Sequence, residues 1–126
     1  MNVRELTDRL LRFRAERDWE QFHNPKDQML SLCLEAAEVL ELAQWRNGDA
    51  LDAHLSASKE ALSDELADVL NWVLLIASDQ GIDLEAALLN KIAKNELKYP
   101  VAEARGRADK YTAYQKQKPA EQRPAG

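Results

Sequence analysis

Apolar and polar residues alternate along this chain with a helical period almost throughout. Near the start, apolar side chains recur at three- and four-residue steps, at Val3, Leu6, Leu10 and Phe13. This spacing predicts an amphipathic helix that runs to about Asp18, with a charged and solvated opposite face. The segment that follows breaks the period, and Pro25 fits either the start of the next helix or the loop before it.

Two later stretches invert the pattern of a surface helix, because polar side chains form the narrow stripe. Between Leu30 and Ala43 the polar residues are Ser31, Glu35, Glu38 and Glu41, and between Leu66 and Ala77 they are Asp68 and Asn71. A helix that is apolar on most of its circumference is usually buried. We therefore expect both helices to be mostly buried.

Turn and cap signals place the remaining boundaries. Asn47-Gly48 predicts a polar connection through about Ser58, where Ser56 or Ser58 can cap the next helix. Gly81 is predicted to end that helix, and Asp83 to cap a fourth, which ends before Pro100. The pattern thus predicts an all-α, four-helix bundle in residues 1–114. Residues 115–126 offer too little apolar surface to bury, which predicts a disordered tail.

Composition and charge narrow the class of protein. With 126 residues and 45% hydrophobic content, the chain can form one domain with its own core. Cys33 lies in an apolar run, where we expect a small core residue, and a lone cysteine fits the reducing cytoplasm. The net charge of −5 disfavours nucleic-acid binding. The apolar runs are too short for a membrane helix and no leader pattern begins the chain, so we expect a soluble, cytoplasmic protein.

The candidate chemistry lies in acidic pairs on the two apolar helices. Glu35-x-x-Glu38 and Glu65-x-x-Asp68 each place two carboxylates on one helix face, so packing the helices together would gather all four. One such pair usually marks a solvated face, but two on apolar helices indicate a metal site, because unpaired buried charge is costly. Carboxylates without His or Cys at ligand spacing favour Mg²⁺ or Mn²⁺. A di-iron site is disfavoured because a second Glu-x-x-His pair is missing.

Aromatic residues border the acidic stripes. Trp72 lies one helix turn after Asp68, and Trp45 lies two turns after Glu38. Trp19 and His23 lie one turn apart in the connector, if it is locally helical, and with Phe22 they could form a wall for a planar ring such as a nucleobase. Ordinary packing of each tryptophan, and a helix-terminal role for His23, remain the alternatives.

A basic segment near the end of the fourth helix offers contacts for phosphate. Its basic residues are Lys91, Lys94, Lys98, Arg105, Arg107 and Lys110, with Asn95 adjacent to Lys94 and Tyr111 directly after Lys110. A run of charge can be a solvated face, or it can be a cationic edge whose arginines hold phosphate oxygens. An acidic metal groove beside such an edge would suit a polyphosphate.

From about Phe13 to Tyr114 these motifs resemble the all-α nucleoside triphosphate pyrophosphohydrolases, the MazG-like superfamily. Residues 16–23, Gln44-Trp45 and residues 64–70 are similar to its dCTP pyrophosphatase branch. Trp72 stands where the animal enzymes of that branch have a tyrosine, and Leu10 where they have a histidine. These departures keep the acidic set and leave the base preference open.

The resemblance implies Mg²⁺-dependent cleavage of a (d)NTP, most simply dCTP or a modified dCTP, to the monophosphate and pyrophosphate, in nucleotide pool sanitation. It also implies a homo-oligomer, a dimer of dimers. The metal ligands would be Glu35, Glu38, Glu65 and Asp68. With the basic segment included, the predicted substrate-binding residues are Trp19, Glu20, Gln21, Phe22, His23, Trp45, Trp72, Lys91, Asn95, Arg107, Lys110 and Tyr111.

The hypothesis for mechanism is in-line attack of water on the α-phosphorus, with the carboxylate-held ions bridging the triphosphate and activating that water. Glu38 or Glu41 would orient or deprotonate the water. Two other functions stay open. One is a non-catalytic nucleotide-binding or regulatory helical module, and the other is a structural helical oligomer whose acidic stripes are solvated seams.

Overall fold

Helices form the regular structure of residues 1–108, which are the residues that this computed structural model describes. One unit, Met1–Leu84, holds α1 (Val3–Glu16), a 3₁₀ turn (Glu20–Phe22), α2 (Pro25–Glu41), α3 (Gly48–Ala57) and α4 (Lys59–Asp79). A second unit begins at Glu85 and holds α5 (Leu84–Lys98), apart from its first residue, and α6 (Val101–Ala104). Residues 1–108 contain no strand, and none of their helices is long and apolar enough to cross a bilayer.

The all-α prediction is confirmed, and the predicted helices lie close to observed ones. That residues 1–114 form one domain stays a prediction, and the predicted tail, residues 115–126, lies outside the described residues. The predicted fourth helix is α5. It begins at Leu84, directly after Asp83, and ends at Lys98, ahead of Pro100. Pro25 takes the first position of α2, as the sequence allowed.

Local capping fixes where α1 and α2 begin. Asn2 and Glu5 form a capping box, in which the Glu5 N–H donates to Asn2 Oδ1 at 2.9 Å and the Asn2 N–H donates to Glu5 Oε2 at 3.0 Å. At α2, the Asp27 N–H donates to Asn24 Oδ1 at 2.9 Å. Each helix therefore begins where a short polar side chain can accept from a free backbone N–H.

The predicted polar connection is a helix, α3, so that prediction is wrong. Asn47 is the N-cap residue of α3, which means that the Asn-Gly pair begins a helix here. Leu51 and Leu55 lie one turn apart on α3 and are both half-buried, so a short apolar row holds the helix in place. Ser56 lies inside α3, and Ser58 stands at the N-cap position of α4 without a side-chain capping bond.

Helix α4 ends at Asp79, two residues before Gly81, which agrees with the predicted stop at this glycine. Gly81 has φ 68°, the left-handed conformation that glycine takes without steric cost. The Gly81 N–H donates to the Ser78 carbonyl at 3.2 Å, and the Ile82 N–H donates to the Ala77 carbonyl at 2.8 Å. These two bonds form a Schellman motif, which satisfies the last carbonyls of the helix.

The interior of the first unit lies where α4 packs on α2 and α1. Its fully buried apolar side chains are Leu74, Leu75 and Ala77, all on α4, and two polar side chains are buried with them, Arg14 and Gln28. The two central helices therefore meet around a mixed apolar and polar core.

The buried face of α1 is rotated from the predicted one. Half-buried or buried side chains follow steps of four, three and four residues, at Val3, Thr7, Leu10 and Arg14. Leu6 and Phe13 are 39% and 47% exposed instead. Arg14 thus lies on the core side of α1, which corrects the expectation that its charged residues are all solvated.

Helices α2 and α4 are less buried in the single chain than predicted. Leu34 on α2 is 66% exposed and Leu66 on α4 is 51% exposed. Cys33 is an exposed free thiol rather than a core residue. Each helix turns one face into the unit, so a helix that is apolar on most of its circumference leaves the rest uncovered.

Candidate active site

The acidic pairs of α2 and α4 lie together. Glu35 and Glu38 on α2 and Glu65 and Asp68 on α4 each place one carboxylate oxygen within 4.8 Å of those of the other three. Because α2 packs on α4, three-residue spacing turns both members of each pair toward the facing helix. This is the arrangement that the spacing predicted. Glu35 and Glu65 are half-buried while Glu38 and Asp68 are exposed, so solvent reaches the carboxylate cluster from one side.

The electrostatics of the carboxylate cluster oppose full ionisation. Burial raises the pKa of Glu35, and its neighbour Glu38 raises that pKa further. Hydrogen bonding with Glu38, burial and nearby negative charge raise the pKa of Glu65 to about 7. Like charges held close together disfavour the charged form of each. Near neutral pH the cluster therefore needs either a proton or a cation.

Two buried oxygens mark where a cation would fit. Glu35 Oε2 and Glu65 Oε2 have no hydrogen-bond partner among the described residues. A buried carboxylate oxygen without a donor is costly, and a cation bound at the carboxylate cluster would be a partner for such an oxygen. Hard divalent ions such as Mg²⁺ prefer all-oxygen ligands. Glu41, the exposed last residue of α2, is not among the four clustered carboxylates.

Trp72 connects the carboxylate cluster to His23. Its side chain interacts with Glu35 and opposes the rise in the pKa of that carboxyl. The His23 ring meets the Trp72 ring edge-on, with ring centres 5.1 Å apart and an interplanar angle of 65°. Both rings are half-buried. His23, one residue of the predicted aromatic wall, therefore packs on a tryptophan that lies one helix turn from Asp68.

The way in which α1 ends positions Trp19. Asp18 has φ 54°, its N–H donates to the Ala15 carbonyl at 3.1 Å, and the Trp19 N–H donates to the Arg14 carbonyl at 3.1 Å. This is a second Schellman motif, with aspartate in the place that usually holds glycine. The Trp19 ring then meets the Phe13 ring edge-on at 5.7 Å, and 45% of Trp19 stays exposed.

The other predicted residues of the first unit lie at the surface. Glu20, Gln21 and Phe22 form the 3₁₀ turn, in which Gln21 Nε2 donates to Asp18 Oδ2 at 2.9 Å. Phe22 is 64% exposed, and Trp45, in the turn after α2, is 83% exposed. The structure thus brings His23 to Trp72 and leaves Phe22 and Trp45 open to solvent.

Five predicted substrate contacts follow α4 in the chain. Lys91 and Asn95 are exposed on α5, one turn apart, and Arg107 is exposed beyond α6. These three belong to the second unit, and Lys110 and Tyr111 lie outside the described residues. Contact of this segment with phosphate stays a prediction.

Sequence reasoning missed a partly buried polar cluster made of Arg14, Gln28 and Asp79. Arg14 Nη1 donates to Asp79 Oδ2 at 2.8 Å and Nη2 donates to Oδ1 at 2.9 Å, while Gln28 Nε2 donates to Oδ2 at 2.7 Å. The hydrogen bonds from Arg14 hold the pKa of Asp79 below its usual value. Arg14 Nη1 also lies 3.5 Å from His23 Nδ1. The cluster therefore joins α1, α2 and α4 next to the Nδ1 side of the His23 ring.

Known proteins match most of this chain. The sequence profile of the MazG-like family matches residues 30–113. The dCTP pyrophosphatases 1 of Mus musculus and Homo sapiens are 42% and 40% identical to it over 102 residues, which are 79% of this chain and 60% of each relative. The chain thus spans three fifths of the length of these curated relatives. The crystal structure of a pyrophosphatase from Archaeoglobus fulgidus superposes with a TM-score of 0.73 at 37% identity, covering 77% of this chain and 91% of that one.

Proposed function

The chain belongs to the MazG-like family, and on this basis we propose that it is a nucleoside triphosphate pyrophosphohydrolase whose active site is the carboxylate cluster. The observation that carries the proposal is the convergence of four carboxylates, two of them with a buried oxygen that lacks a partner in the described residues. The substrate is a (d)NTP, with dCTP or a modified dCTP first, since the curated relatives are dCTP pyrophosphatases. The products are the monophosphate and pyrophosphate.

We assign Mg²⁺, or Mn²⁺ in its place, to Glu35, Glu38, Glu65 and Asp68. A divalent ion held there supplies neutralisation of phosphate charge and acidification of a coordinated water. Glu38 and Asp68 are the exposed pair, so the triphosphate approaches from their side, while half-buried Glu35 and Glu65 close the other side. Glu38 is favoured over Glu41 as the residue that orients or deprotonates water, because Glu38 is part of the cluster.

We assign the base to the aromatic side chains beside the carboxylate cluster. The edge-on pair of His23 and Trp72 and the half-exposed ring of Trp19 offer flat apolar surface for stacking. The other residues that we propose to contact the substrate are Glu20, Gln21, Phe22, Trp45, Lys91, Asn95, Arg107, Lys110 and Tyr111. The cations among them would neutralise the outer phosphates.

We also propose that the chain works as a homo-oligomer, a dimer of dimers, in the cytoplasm. Leu30, Leu34 and Leu40 on α2 are 52%, 66% and 62% exposed, and exposed leucines on one helix suit burial against a second copy of the chain. The net charge of −5 argues against nucleic acid as a partner. The exposed free thiol of Cys33 fits a reducing compartment.

Product analysis tests the proposed function. The protein is incubated with each canonical NTP and dNTP and with 5-methyl-dCTP, in Mg²⁺ and in EDTA, and the products are separated by chromatography. We expect monophosphate and pyrophosphate in Mg²⁺ alone, with dCTP or its methylated form cleaved fastest, and loss of both products in Glu38→Gln. Diphosphate with inorganic phosphate would refute the bond assignment. Nucleotide binding without any product would favour the non-catalytic module instead.

A further inference from the structure

The polar cluster of Arg14, Gln28 and Asp79 has no part in the chemistry proposed so far. Arg14 is 5% exposed and Gln28 is 1% exposed, while the Asp79 side chain is 25% exposed. A partly buried ion pair contributes little net stability, because the cost of removing charge from water offsets the attraction between the two groups. Its position behind His23 suggests that it acts on that side chain.

Hydrogen-bond chemistry fixes the orientation of each group in the cluster. A guanidinium can only donate and a carboxylate can only accept, so the bidentate pair of Arg14 and Asp79 has one arrangement. The bond from Gln28 Nε2 to Asp79 Oδ2 adds a third donor and fixes the amide of Gln28. Arg14 therefore cannot rotate without breaking two short hydrogen bonds.

The fixed guanidinium determines the protonation of His23. Arg14 Nη1 lies 3.5 Å from His23 Nδ1, and because arginine has no acceptor, a hydrogen bond between them requires the lone pair on Nδ1 and the proton on Nε2. Burial, and then the positive charge of Arg14, lower the pKa of His23, against smaller opposing effects of Asp79 and Glu20. The edge-on contact with Trp72 restricts rotation of the ring.

We propose that Arg14, Gln28 and Asp79 form a positioning unit that holds His23 as the neutral Nε2–H tautomer, a fixed hydrogen-bond donor to an acceptor atom on the base of the substrate. The inference rests on the proposed function, which puts the base beside His23. A ring carbonyl or an unprotonated ring nitrogen, both present in cytosine, accepts from such a donor, whereas an exocyclic amino group does not. The three residues act through His23 and do not touch the substrate.

The state of His23 can be measured without substrate. Nitrogen-15 NMR of the imidazole at pH 7 should show Nδ1 unprotonated and Nε2 protonated, and His23 should remain neutral to a pH below its ordinary range. The groups that act on the ring are Arg14 from α1, Trp72 and Asp79 from α4, and Glu20 from the 3₁₀ turn, while Gln28 from α2 contacts Asp79. A proton on Nδ1, or a charged ring at pH 7, overturns the proposal.

Arg14→Lys tests the positioning role, because lysine keeps the charge but cannot hold Asp79 with two bonds while it reaches His23. The His23 nitrogens should then exchange between tautomers, whereas the His54 resonances should not change. Arg12→Lys, an exposed arginine on the same helix, is the matched control. Unchanged His23 nitrogens in a folded Arg14→Lys protein refute the positioning role.

A double-mutant cycle separates positioning from a structural role. Arg14→Lys should raise KM for dCTP about tenfold, the effect of one weakened hydrogen bond, with a smaller change in kcat. In a His23→Leu background the same change should have no further effect on KM, and His23→Gln, which keeps an N–H donor, should bind better than His23→Leu. Additive effects of Arg14→Lys and His23→Leu overturn the inference.

Failure of the proposed function would show instead as absent turnover. In that case the Kd for dCTP replaces KM in the cycle. Absence of dCTP binding refutes both the proposed function and this inference.

Discussion

At the scale of single residues, Asp18 carries the least favourable backbone conformation in residues 1–108. It is the one non-glycine residue in this range with a positive φ, and it takes the Schellman position that Gly81 takes at the end of α4. A β-carbon in the left-handed region costs free energy that glycine avoids. Local interactions offset part of this free energy, because the Asp18 carboxylate accepts a hydrogen bond from Gln21 Nε2. The motif also positions Trp19 at the candidate base site.

Asp18→Gly should therefore raise the free energy of unfolding by up to about 1 kcal/mol. Urea denaturation monitored by circular dichroism measures the change. Asp18→Asn should be close to neutral, because asparagine tolerates the same conformation, and Asp18→Val should be destabilising. A less stable Asp18→Gly protein would show that the bond to Gln21 outweighs the backbone strain.

Asp79 should make the free energy of unfolding depend on pH in the acidic range. Hydrogen bonding from Arg14 lowers the pKa of Asp79 below 3.8, so at low pH the unfolded chain binds more protons than the folded one. The contribution is complete above the unfolded pKa and is lost as the pH falls through that value toward the folded pKa. The free energy of unfolding between pH 5.5 and pH 2.5 should fall less steeply in Asp79→Asn than in the unchanged protein. Equal slopes would mean that the Arg14–Asp79 pair does not stabilise the carboxylate.

At the scale of helices, the contact between α2 and α4 concentrates negative charge. In the absence of metal, Glu38→Gln should raise the melting temperature, because it removes a charge that repels Glu35 and Glu65. With Mg²⁺ present, the wild-type protein should have the higher melting temperature of the two. An ion that binds the folded state alone stabilises it by about 2.7 kcal/mol at 100 times its Kd, and the variant should lose most of that gain.

Differential scanning fluorimetry in EDTA and in rising Mg²⁺ measures both effects. Asp64→Asn, an exposed acidic position next to Glu65, is the control and should keep the full response to Mg²⁺. An unchanged melting temperature of the wild-type protein in Mg²⁺ and in Mn²⁺ would favour the structural-oligomer alternative, in which the acidic stripes are solvated.

Much of the helical layout and the carboxylate cluster could be predicted because both depend on local spacing. The three-residue steps of Glu35-x-x-Glu38 and Glu65-x-x-Asp68 fix a helix face whatever the rest of the fold does. Helix α3 was missed because Asn47-Gly48 also begins turns, and two leucines are a weak periodic signal. The signal for Arg14 was present in the row Thr7, Leu10, Arg14, but a charged residue on a core face is recognised only through its partner, Asp79, which is far away in sequence.

At the scale of the whole molecule, the exposed leucines of α2 predict association. Size-exclusion chromatography with light scattering should give a mass that is a multiple of the 14.3 kDa chain. Leu34→Glu places a charge among the exposed leucines of α2 and should shift the protein toward monomer, because a carboxylate buried in an apolar interface is costly. Arg12→Glu, on the exposed side of α1, should not. A monomeric wild-type protein at micromolar concentration would refute the oligomer.

The placement of all four clustered carboxylates on two helices has a consequence for how such sites diversify. The register between α2 and α4 determines the geometry of the carboxylate cluster, and α3 only carries the chain from one helix to the other. Insertions, deletions or new chain ends within α3 would leave the four oxygens in place as long as the two helices keep their register. The two short motifs, on two helices held in this register, therefore form a unit whose connecting segment can vary.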